Sequence, residues 1–154
     1  MTFIYDISLP GHSVPDPRKA LEAIKILGVN SKSLELERMF SESALYVTGM
    51  ELYSILSEEY TEKIQTASGL KKSYFNIKKG VFDKKFDKNI LRIGNMLKGH
   101  EFEKRTILPF LQAYNEKGFD IPEQLQEIID KECSEINTSD EIAWKKSLVD
   151  YLKK

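Results

Sequence analysis

The residues best suited to metal binding or nucleophilic catalysis are few: the chain has two histidines, His12 and His100, and one cysteine, Cys133. A structural zinc site needs clustered ligands at short paired spacings, such as H-E-x-x-H or C-x-x-C, and neither occurs. His100-Glu101 stands alone after Gly99 and reads as a polar pair in a loop. Cys133 falls on the apolar stripe of Leu125, Ile128, Ile129 and Ile136, where a thiol packs as a small hydrophobe rather than acting as a thiolate. No G-x-S-x-G elbow presents a serine as a nucleophile. The glycines at 80, 94, 99 and 118 are isolated and form neither of the phosphate-cradling loops, and Asp83 and Asp87 lack the glycine and distal glutamate of a calcium loop. No catalytic residue, metal or cofactor is therefore expected.

Arg92 and His100 resemble, in residue type alone, the Arg–His pair that HEPN-type RNases carry on one helix. Seven residues separate the two here, and Gly94 and Gly99 interrupt the helix that should hold both, so the pattern is not met. Acidic neighbours such as Glu58-Glu59 could serve acid–base chemistry, but on a solvated helix face they act as surface charges.

Charge is where the sequence departs from the ordinary. The net charge of -1 averages a basic segment, 71–105, at +7 with two acidic flanks, 1–70 and 106–154, at -4 each. Lys71-Lys72, Lys78-Lys79 and Lys84-Lys85 alternate with Tyr74, Phe75, Phe82 and Phe86, a mixture suited to phosphate contact with base stacking. Arginine, which favours bidentate recognition, is present there only as Arg92 and Arg105. On the acidic side, Glu51, Glu58, Glu59 and Glu62 share one helical segment, and Glu123, Glu127 and Asp130 share another. Such surfaces steer towards and cover a basic partner.

The elements that must position these charges are helices. Residues 1–15 alternate Phe3, Tyr5, Ile7 and Leu9 with less apolar positions before Pro10-Gly11 and Pro15, which predicts an extended N-terminal arm. Asp16-Pro17 predicts a helix start and Gly28 its stop. A short helix is expected over 33–40, and another behind the capping box Thr48-Gly49-Met50-Glu51, with Leu52, Tyr53, Leu56, Tyr60, Ile64 and Ala67 inward. Two more are expected over 71–79 and 83–98. Pro109 conflicts with a helix over 101–117 and is read as opening a fresh one that ends at Gly118. Pro122 starts the next, and Thr138-Ser139-Asp140-Glu141 reads as a capping box before Trp144, Leu148, Tyr151 and Leu152.

The expected fold is all-α: one compact domain over 1–154, a bundle of six or seven short helices with an extended N-terminal arm. A chain of 154 residues that is 41% hydrophobic buries roughly 70% of its unfolded surface and folds without staples. A single cysteine allows no intrachain disulfide, the first residues show no signal-peptide pattern, and no apolar run approaches the ~18 residues of a membrane span. These point to the cytoplasm and away from membranes. The expected function is a non-catalytic protein-binding module, an inhibitor or immunity-type protein that neutralises a partner such as a toxin or nuclease by covering its basic surface. The alternative is nucleic-acid binding through 71–105, using Lys71, Lys72, Lys78, Lys79, Lys84 and Lys85.

Overall fold

A computed structural model describes residues 33–153. Among the described residues there is no strand, and five helices follow one another: α1 Ser33–Thr66, α2 Gly69–Leu97, α3 Glu101–Glu116, α4 Glu123–Glu132 and α5 Glu141–Leu152. The all-α class holds, but the expected six or seven short helices become five here, two of them long. The expected N-terminal arm over 1–15 and the helix over 17–27 lie outside the described residues.

Both long helices join segments that the local sequence signals separate. The helices expected over 33–40 and behind Thr48 are one helix, because the heptad line Leu36, Phe40, Ser43, Val47, Met50 runs unbroken through the capping-box residues. Gly49 serves a close approach there, not a helix start: a Cβ at this position would lie 2.8 Å from the Asn89 amide nitrogen of α2. The helices expected over 71–79 and 83–98 likewise fuse into α2. Gly80 sits in open space within it, at a cost of about 1 kcal/mol relative to alanine that α2 tolerates. Between α1 and α2 only Ala67 and Ser68 intervene, and Gly69 takes the left-handed conformation, φ 64°, which reverses the chain without a Cβ clash. The result is an antiparallel hairpin of 34- and 29-residue helices, roughly 50 and 43 Å long at 1.5 Å per residue.

The core lies at the inner end of this hairpin. Leu36, Phe40 and Met50 of α1 and Ile93 and Leu97 of α2 are buried against α3, and burying side chains of this size stabilises by about 1.5–3 kcal/mol each. Helix α3 is buried on all sides from Arg105 to Leu111, as befits the central element of a bundle. It runs straight through Pro109, so the expected fresh start at that residue is wrong. Losing one backbone bond costs about 3 kcal/mol, and the packing of Ile107, Leu108, Phe110 and Leu111 around the proline outweighs it.

The remaining two helices close the base. Helix α4 opens after Pro122 and packs Leu125 on α2, with Cys133 just past its end. The start of α5 is capped by Asp140, whose carboxylate accepts from the Ala143 N–H at 3.1 Å. Thr138, expected to provide that cap, instead bonds Gln112 of α3. Trp144, Leu148 and Leu152 then dock on α3, with the Trp144 ring 5.9 Å from Phe102. No residue between 51 and 88 is buried, so the outer hairpin projects from the base by roughly 25 Å. No helix among the described residues is long and apolar enough to cross a membrane.

Candidate protein-binding face

The outer hairpin is held together by aromatic rings rather than a closed core. Tyr53 stacks on Phe82 at 6.1 Å, and Tyr60 meets Phe82 at 5.3 Å and Phe75 at 5.6 Å, both edge-on. Such contacts contribute about 0.5–1.5 kcal/mol each beyond area burial. Lys63 lies over Tyr60 at 4.6 Å and Lys85 over Tyr53 at 5.4 Å, so two cations seal the edges of the ring ladder. The sequence pattern accounts for the arrangement: Phe75, Phe82 and Asn89 recur every seven residues on α2, opposite Tyr46, Tyr53 and Tyr60 at the same period on α1.

Relative to this ladder the hairpin has two sides. On one, the line Leu36–Phe40–Ser43–Val47–Met50 continues outward as Ser54, Ser57 and Thr61. At the base this side is covered by α3 and α4; further out it forms an open groove of about 340 Å³ lined by Ser54, Ser57, Glu58, Thr61, Asp83 and Phe86. The Ser57 hydroxyl donates to the Asp83 carboxylate, which also receives Lys79 at 2.8 Å. The Lys79 and Ser57 hydrogen bonds hold the Asp83 carboxyl below its usual range. These groups satisfy one another and tie α1 to α2.

Among the described residues, no further helix packs on the other side. Leu45, Leu52 and Ile55 of α1 and Leu70, Tyr74, Ile77, Val81 and Leu91 of α2 are all exposed, Leu70 by 91% and Ile77 by 67%. On each helix these residues are offset in the same rotational sense from the ring ladder. In an antiparallel pair that puts both stripes on one side, opposite the side that α3 covers. A lone exposed leucine needs no explanation, whereas aligned ones on neighbouring helices make this side a candidate binding face.

The sequence-predicted residues separate across this frame. Glu58, Glu59 and Glu62 are exposed on the outer half of α1, whereas Glu51 is paired with Lys117 at the base. Glu123, Glu127 and Asp130 are exposed on α4, which packs on α2. The acidic residues are thus not brought together into one surface. Nor do the lysines form one patch: Lys71, Lys78 and Lys85 run along the bare edge of the α1–α2 seam, and Lys72 and Lys79 along the groove edge. Lys79 is bound to Asp83, while Lys71, Lys72, Lys84 and Lys88 have no ion-pair partner among the described residues. Two further cations of the basic segment are structural. Arg105 is buried, donating to the Asn137 carbonyl at 3.0 Å, and Lys104 reaches the Glu132 carbonyl and carboxylate.

The chemistry-bearing side chains among the described residues are occupied with folding, and His12 lies outside those residues. His100 is the N-cap of α3: its Nδ1 accepts from the Phe102 N–H at 3.0 Å, and Glu103 reaches back to the His100 N–H. This is a capping box with histidine in the serine position, a role that the loop reading missed because the usual signature begins with Ser or Thr. Arg92 lies over the Tyr46 ring at 5.4 Å, while His100 meets Tyr151, so the two serve different contacts. Tyr151 donates to Glu35 at 2.7 Å, and burial together with that bond raises its pKa and keeps the phenol neutral. Burial also pushes the Cys133 thiol up, and its Sγ points to the Leu97 carbonyl. Among the described residues no group of three or more His, Cys, Asp or Glu is placed to hold a metal ion.

Comparison with known families, curated proteins and solved structures finds no match to this chain.

Proposed function

We propose that this chain is a non-catalytic protein-binding module of the cytoplasm, of the inhibitor or immunity type, that acts by occupying a surface of its partner with the outer hairpin. The observation that carries this reading is the row of exposed apolar residues on one side of α1 and α2, which continues past the base over Leu70, Tyr74, Ile77 and Val81. A few apolar anchors supply most of the affinity of such an interface, and the charges around them set encounter rate and orientation. Glu58, Glu59 and Glu62, on the outer half of α1, complement basic groups at the rim of the covered surface. The folding roles of His100, Cys133 and Arg105 leave the base as the support for this face.

Purification of the tagged protein from its native cells at moderate salt, with and without nuclease, tests the reading. A stoichiometric protein that survives nuclease and is lost from the Ile77→Asp variant is expected. Recovery of no protein, or of one indifferent to that substitution, contradicts it. A second reading, nucleic-acid binding, is favoured by Lys71, Lys72, Lys84 and Lys88, which have no ion-pair partner among the described residues. It requires binding that falls steeply with salt and disappears when Lys71, Lys72, Lys78, Lys79, Lys84 and Lys85 are neutralised.

A further inference from the structure

We draw no further inference here: the strongest candidate, the exposed apolar row of Leu52, Leu70, Ile77 and Val81 on the α1–α2 hairpin, belongs to the face already described, and nothing among the described residues shows what covers it.

Discussion

The base and the outer hairpin are made from the same two helices, yet they are stabilised in different ways. At the base, α1 and α2 bury Leu36, Phe40, Ile93 and Leu97 against α3 and α4, and little apolar surface is left over except on the far side. In the outer half the same heptad positions turn to Ser54, Ser57 and Thr61, and cohesion passes to the ladder of Tyr53, Tyr60, Phe75 and Phe82. The lesson is a division of labour. The base supplies stability, which frees the projecting half to leave leucine, isoleucine and tyrosine uncovered at its surface.

The comparison breaks most visibly through Phe102, which is fully buried and touches Phe40 of α1 and Trp144 of α5. Phe102→Ala should cost about 3–5 kcal/mol in urea denaturation, whereas Ile77→Asp on the hairpin should change stability by about 0.5 kcal/mol or less. Similar losses from both would mean that the hairpin is part of the core.

Tyr60→Ala removes two ring contacts from the ladder and should weaken the hairpin locally by about 1–2 kcal/mol. Hydrogen exchange is expected to accelerate over 53–82 while amides of α3 keep their protection. Acceleration spread evenly over both regions would make the two halves one cooperative unit.

The smallest effect concerns Asp83. Its carboxyl is held below the usual range by Lys79 and Ser57, so its contribution is present above the unfolded pKa of about 3.9 and is lost as pH falls through the lower folded value. The pair is part-exposed, so the contribution is at most about 1 kcal/mol. Asp83→Asn should therefore lower hairpin protection slightly at neutral pH and flatten its decline below about pH 4, with the base unaffected. An unchanged acid profile would remove the bond from the account.

Much of this molecule was legible in the sequence, and the failures share a cause. Periodicity gave the helical class, the inward Cys133 and the apolar stripe of the last helix. It failed at Thr48-Gly49-Met50-Glu51 and at Pro109, where local signals for a helix start compete with tertiary packing. Gly49 answers to Asn89 on another helix, 40 residues away in sequence, and Pro109 to a helix buried all round. The candidate face was only half visible. Leu52 reads as inward from spacing alone, because a helix with apolar residues on two sides does not announce which side is covered. The opposite charges of α1 and α2 were plain, but that they belong to one hairpin depends on the turn at Gly69.

Site-specific photo-crosslinking in the native cells puts the two regions to one test. A photoreactive residue is placed at Ile77 on the hairpin and, separately, at Glu127 on the base, both exposed. The account predicts a discrete protein adduct from position 77 and none from position 127. An adduct from position 127 alone would move the interface to the acidic face of α4 and contradict the central claim.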